Sequence, residues 1–405
     1  MEAGHGFTDL EPLQATIGDA RIVALGEATH GSREFFQLKH RLVEFLVAES
    51  GFRVFIIEAN WPEALAVNDY VLHGHGDPAQ APAGLYIWTW DTEEVLALIR
   101  WMRAYNADRA DADKVHFAGM DAQFPKAAAT AVASFLTRVD PSYAATITPR
   151  LAQLAEASSI WGRALTEEES TCSAVAHEVL ARLDAEETRY AGSTSAAAWQ
   201  LARQHANVLC QIDAQQRAPD AARRYTLRDE AMADNVAWTL DSHPSGTKAV
   251  LWAHNGHVTR DTRGLFDPAI ITTGQRLAAR YGNELVVVGF AFGRGAFQAR
   301  IPQGRDDSPP PLGEFTVKAM PPDTLDGAVG AARGCPTFIL DLRRLDDGLA
   351  EWFGQPRLTR EAGSVVMREQ DMWTQIVPAA RYDALAFVAE TTRARPTPTG
   401  ERPKR

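Results

Sequence analysis

The hydrophobic pattern divides the chain into stretches of different period. Short apolar runs without strict alternation occur at "RIVALG" (21–26), "FRVFIIEA" (52–59), "KVHFAGMD" (114–121), "KAVLWAH" (248–254), "ELVVVGFAF" (284–292), "TFILDL" (337–342) and "DALAFVAE" (383–390). Runs rich in Val, Ile, Leu and Phe at successive positions predict strands buried on both faces, as in a mainly parallel sheet covered by helices. Between the early runs the period lengthens. In "SREFFQLKHRLVEFLVAES" the apolar residues Phe35, Leu38, Leu42, Phe45 and Leu46 follow a near-helical spacing that stops at Gly51, a C-cap residue type. "TEEVLALIRWMRAYN" behaves the same way, with Thr92 placed as its N-cap. From about 125 to 245 the strand runs disappear, and "SAAAWQLARQHANVLCQIDAQQR" sets Trp199, Ala202, Ala206 and Leu209 on one helical stripe.

These patterns predict an α/β fold: a mainly parallel central sheet flanked by helices, with an all-helical insertion capping one end of it. Residues 1–124 form the N-terminal part of the core, 125–245 the insertion, 246–392 the C-terminal part, and 393–405 a proline-rich polar tail expected to be disordered. The prolines of "QGRDDSPPPLGEF" mark a loop, and "GFAFGRGAF" reads as a bend rather than a dinucleotide fingerprint.

Composition narrows the function. The formal charge of −11 repels a phosphate backbone, so no nucleic-acid partner is expected. Three cysteines, with no C-x-x-C, suggest neither a disulfide framework nor a cysteine zinc site and fit a reducing compartment. The first residues lack a basic start followed by an apolar core, and no run approaches the ~18 apolar residues of a membrane helix. The expected location is cytoplasmic, with no membrane partner; the oligomeric state is not encoded in any pattern.

Ligands of parallel α/β sheets bind outside the carboxyl ends of the strands, so what each strand delivers as it ends matters most. The first run ends in Glu27 and His30, the second in Glu58, Asn60 and Trp61, the third in Asp121, the fourth in His254, Asn255 and His257. Hydrolysis needs a base that takes a proton from water near neutral pH and a partner that orients it. His30, just ahead of a helix N-terminus, is the best base; Glu27 or Glu58 could hold its tautomer, and His254 or His257 could donate to a substrate carbonyl or leaving group. "HNGH" also has the look of a metal site, since two histidines near carboxylates can ligate zinc. Tryptophans such as Trp90 suit a core or the wall of an apolar ligand pocket. No G-x-S-x-G elbow or phosphate-binding loop is present.

With those residues in place, the chain resembles the erythromycin esterase family, also known as succinoglycan-biosynthesis-like proteins. "GEATHGSREFFQLKHRL", "FIIEAN", "WTWDTEEVLALIRWMRAYN", "FAGMDAQ", "RDEAMADNVAW", "LWAHNGHV", "YGNELVVVGF" and "YDALAFVAETTRARP" occur in family order and span nearly the whole chain. The resemblance implies a three-layer α/β core and hydrolysis of carboxylic esters or lactones without metal or cofactor. His30 would be the general base on water, with Glu27, Glu58, His254 and His257 completing the catalytic set. Macrolide lactones are the first candidate substrates, since characterised family members open them. Lys39, Asn60, Trp61, Trp90, Asp121 and Asn255 are candidate substrate contacts; Lys39 stands where the family pattern leads one to expect an arginine, with Arg41 close by. Two other readings remain at this point: another acyl-type or elimination step in a biosynthetic pathway, and a non-catalytic metal- or haem-binding module.

Overall fold

The computed structural model describes residues 6–156, 167–301, 311–331, 335–366 and 368–397. Its strands are β1 (Ile22–Leu25), β2 (Phe52–Asn60), β3 (His116–Asp121), β4 (Lys248–Trp252), β5 (Leu285–Arg300), β6 (Leu312–Val317), β7 (Thr337–Asp341), β8 (Arg357–Arg360), β9 (Trp373–Ile376) and β10 (Ala384–Thr391). Eight of them form one sheet in the order β3-β2-β4-β1-β5-β10-β7, with β6 pairing β5, while β8 and β9 make a small separate ribbon. Pairing is parallel from β3 to β10; β7 and β6 are antiparallel to their neighbours. This is the mainly parallel α/β sheet that the apolar runs predict.

Alternate residues of the same strand feed two different cores, which makes the molecule three-layered. Val23, Leu25, Phe55, Ile57 and Trp252 face Phe35, Leu42 and Phe45 of the helix Arg33–Ser50 and Leu98 and Met102 of the helix Glu93–Asn106. Ile22, Ala24, Val54, Ile56 and Leu251 face Met232, Val236 and Leu240 of the helix Ala221–Asp241 and Leu277 of the helix Thr273–Tyr281. Each buried Val, Leu, Ile, Phe or Met among them contributes about 2 kcal/mol of hydrophobic stabilisation. The helix boundaries follow local signals: Thr92 accepts from the Val95 amide, and Gly51 takes a left-handed conformation (φ 74°) to close its helix. Between β3 and β4 every described regular element is a helix, and this segment has its own core around Trp199, Ala202, Ala206 and Leu209.

Two local expectations turn out differently. The "GFAFGRGAF" stretch is not a bend: β5 runs through it, pairing β10 as far as Gly295 and β6 from Gly295 onward. A Cβ at Gly295 (φ 120°) would lie 2.1 Å from the Thr391 carbonyl, so glycine permits the change of partner. The tail is fixed further than its composition suggests. Ala394 N–H donates to Gly31 O, the Arg393 guanidinium to Gln298, and Thr397 N–H to Asp91 O, which anchors residues 393–397 beside the start of the helix Arg33–Ser50. Residues 302–310 of the proline loop and the last eight residues of the tail lie outside the described residues. Among the described residues no helix is long and apolar enough to cross a membrane.

Candidate active site

At the end of β1 the backbone passes so close to its neighbours that only glycine fits. A Cβ on Gly26 would sit 2.2 Å from Asn255 Oδ1, and one on Gly31 would sit 2.1 Å from the Gln298 carbonyl. Between these glycines, Glu27 is fully buried, and its carboxylate accepts three hydrogen bonds: from His30 Nδ1 at 2.7 Å, Lys39 Nζ at 2.7 Å and Trp252 Nε1 at 2.8 Å. Burial alone would raise the Glu27 pKa, but the Lys39 and His30 partners outweigh it and hold the group below its ordinary value. Lys39 is also wholly buried, 4.5 Å above the Trp252 ring; burial, opposed by Glu27, brings its pKa down to about 8. An anionic Glu27 takes the proton on His30 Nδ1 as a hydrogen-bond donor, which leaves Nε2 as the basic nitrogen.

The second cluster is built from the ends of β2, β3 and β4 and from the insertion. Arg228 on the helix Ala221–Asp241 donates to Asp121 at 2.6 Å and to Glu58 Oε1 at 2.7 Å. His257 lies between Asp229, 2.7 Å from Nδ1, and Glu58, 3.3 Å from Nε2. Its Nε2 is also 3.1 Å from Arg228 Nη1, a contact that suits a neutral ring. The charge count decides otherwise: three carboxylates, Glu58, Asp121 and Asp229, surround the single guanidinium. Burial would lower the His257 pKa, but Asp229 and Glu58 push it up to about 10, so the ring is an imidazolium at neutral pH. Glu58 correspondingly sits well below its ordinary value: burial opposes this, and His257 and Arg228 overcome it.

His254 links the two clusters. Its backbone N–H donates to Glu58 Oε2 at 2.9 Å, and its ring lies 4.8 Å from that of His30, centroid to centroid. Nδ1 accepts from the Gly256 amide at 3.1 Å, so the ring proton is on Nε2, 3.2 Å from the Ala362 carbonyl. Burial, assisted by His30, lowers its pKa to about 4, which keeps it neutral.

A cavity of about 470 Å³ opens against these groups, within the size range of small-molecule sites. Its polar wall includes His30, His254, His257 and Arg228 together with the carboxylates Glu361 and Asp371, while Leu265, Phe266, Met372 and Trp373 supply an apolar one. Phe266 and Trp373 are 66% and 44% exposed, unusual for side chains of this size.

The residues singled out at the strand ends fall into distinct places. Glu27, Glu58 and Asp121 stand behind the cavity histidines. Lys39 holds Glu27 and does not line the cavity, and Arg41 pairs with Asp9 instead of entering the site. Asn255 clips β4 to β5 by bonding both the carbonyl and the amide of Phe290. Trp90 donates to the Glu58 carbonyl at 2.9 Å and packs edge-on to His30. Asn60 and Trp61 are away from the cavity: Asn60 holds the Gln123 and Phe124 backbone, and Trp61 packs on His205 and Trp238 in the insertion. Arg228, Asp229, Trp252 and Tyr225 were not singled out as site residues; the only signal near the first two was the "RDEAMADNVAW" stretch.

The erythromycin esterase family model matches residues 47–391. The chain belongs to the erythromycin esterase family. It is 27% identical over 320 residues to the erythromycin esterase type II of Escherichia coli, covering 73% of this chain and 75% of that protein. Among solved structures it superimposes on a Bacillus cereus protein with a TM-score of 0.84 at 27% identity, covering 97% of this chain and 94% of that one. A succinoglycan biosynthesis protein matches with a TM-score of 0.81 at 26% identity, covering 97% and 93%. Membership of the erythromycin esterase family supports a hydrolase.

The "HNGH" histidines of this family member have their ring nitrogens committed. His254 bonds Gly256 and faces Ala362, and His257 is wedged between Asp229 and Glu58, so neither pair of nitrogens converges on a common point as zinc ligands do. Among the described residues no group of three His, Cys, Asp or Glu side chains is arranged to hold a metal.

Proposed function

We propose that the protein hydrolyses carboxylic esters and lactones without a metal, with His30 as the general base that activates water. The observation that carries this reading is the buried chain Lys39, Glu27, His30, which ends at the cavity wall. A fixed Nδ1–H leaves Nε2 as the one lone pair presented to a ligand, the arrangement a general base requires. The imidazolium of His257 and the guanidinium of Arg228 on the same wall favour the negative charge that develops on a carbonyl oxygen under attack. The neutral His254, beside His30, lines the cavity without adding a second cation next to the base. Macrolide lactones come first among candidate substrates because the Escherichia coli relative is named as an erythromycin esterase and because Leu265, Phe266, Met372 and Trp373 give the cavity an apolar side.

Incubation of an erythromycin-type macrolide and several simple lactones with the purified protein in ¹⁸O-water, with a chelator present, tests this reading by mass spectrometry. The expected product gains one water, carries the label in its new carboxyl group and forms at an unchanged rate with chelator. Loss of activity with chelator would contradict the metal-free reading, and an unlabelled unsaturated product would replace hydrolysis by elimination.

A further inference from the structure

The helix Ala221–Asp241 carries Tyr225, Arg228 and Asp229 at spacings of three and four, hence on one face. Arg228 and Asp229 are tied into the charge cluster, but the Tyr225 hydroxyl is not. It lines the same cavity as His30 and His254, and among the described residues it has no hydrogen-bond partner. Tyr225 is half-buried, and a phenol hydroxyl that faces a cavity without a protein partner is free to donate to a ligand there.

The ring is held firmly. It stacks on the His257 imidazole at 4.9 Å with an interplanar angle of 16°, and Phe266 packs against it edge-on at 5.6 Å. The hydroxyl reaches over the turn that follows β4: a Cβ on Gly256 would be 3.1 Å from it and 3.3 Å from His254 Nδ1. The Tyr225 oxygen and His254 Nδ1 thus flank the same turn at Gly256, and the His254 ring is in turn beside that of His30. Burial, helped by Asp229 and opposed by Arg228, pushes the phenol pKa well above 10, so it remains a hydrogen-bond donor at working pH.

We infer that Tyr225 is a catalytic residue of the hydrolysis proposed above, donating its O–H to the acyl oxygen of the substrate as that oxygen becomes an oxyanion. The inference rests on that proposal. Water oxygen bonds to the acyl carbon, the carbonyl π pair moves onto oxygen under the Tyr225 hydrogen bond, and the water proton passes to His30 Nε2. When the pair returns, the carbon–oxygen bond to the alcohol breaks and the departing alkoxide takes the proton from His30. Tyr225 keeps its own proton throughout, and no further reactant is needed.

Tyr225→Phe keeps the stacked ring and removes only the oxygen. On the lactone that wild type opens fastest, kcat is expected to fall about 100-fold with KM and melting temperature nearly unchanged, as for loss of one oxyanion donor. A phosphonate mimic of the tetrahedral intermediate should bind the variant more weakly by a similar factor, while the ring-opened product binds as before. An unchanged kcat, or a raised KM alone, in Tyr225→Phe alongside an inactive His30→Ala would overturn the inference and leave the hydrolase reading in place. An active His30→Ala, or a wild type that opens no lactone, would overturn that reading and this inference with it.

Discussion

His30 and His257 each have a carboxylate 2.7 Å from Nδ1, yet the two rings are set for opposite tasks. His30 is hydrogen-bonded to one carboxylate, already neutralised by Lys39 and saturated by Trp252, and its ring lines the cavity. His257 has carboxylates on both sides, which hold it as a cation. A paired histidine is therefore a base or a fixed positive charge according to how many negative groups share it and whether its far nitrogen is left open. In this site the carboxyl ends of two adjacent central strands, β1 and β4, supply both, a few residues from where the strands end.

The sharpest way to break that contrast is to remove the shared counter-ion of the cationic side. Arg228→Met strands Glu58 and Asp121 in the interior without their guanidinium, and is expected to cost about 3 to 5 kcal/mol of stability by denaturant titration. A loss near zero would mean that the two carboxylates are not held by Arg228. Next in size, Glu27→Gln keeps the shape but turns the orienting group into an amide, so His30 loses its fixed tautomer and Lys39 its counter-ion; kcat is expected to fall about 1,000-fold or more, with a lowered melting temperature. A variant as active as wild type would remove Glu27 from the account.

The smallest effect is a pH signature that separates the histidines. His257 has a folded pKa raised to about 10, so its contribution to stability is complete below the ordinary histidine value near 6.5 and is lost as pH rises toward 10. His254 has a folded pKa lowered to about 4, so between about 6.5 and 4 the unfolded chain takes up the proton and stability falls with falling pH. Melting temperatures across pH should show His257→Gln flattening the alkaline limb and His254→Gln the acid limb. The reverse assignment would contradict the charge states given to both rings.

Much of this site was legible because parallel sheets present ligands at strand ends. That rule alone pointed to Glu27, His30, Glu58, Asp121 and His254, and the two-sided apolar runs gave the sheet they stand on. It failed where contacts depend on docking. Arg228 lies 107 residues from Asp121, on a helix whose amphipathic pattern says that one side is buried but not which group it meets. Trp252 lies within an apolar strand run and is core; that its indole N–H also serves Glu27 follows from the register of β4 beside β1. Asn60 and Trp61, grouped with the site because they follow β2, are turned to the insertion instead, since residues just past a strand end can serve either neighbour. The ribbon β8–β9, which brings residues up to Trp373 to the cavity, comes from runs of four residues, too short for periodicity to distinguish.

The central claim, that His30 is the base, is tested most directly by His30→Ala. The kcat/KM for lactone opening is measured together with the melting temperature. The account predicts a loss of at least about 100-fold with a melting temperature close to wild type, because a positioned general base supplies that much of the rate. Turnover at the wild-type rate, or loss of the fold along with the activity, would contradict it.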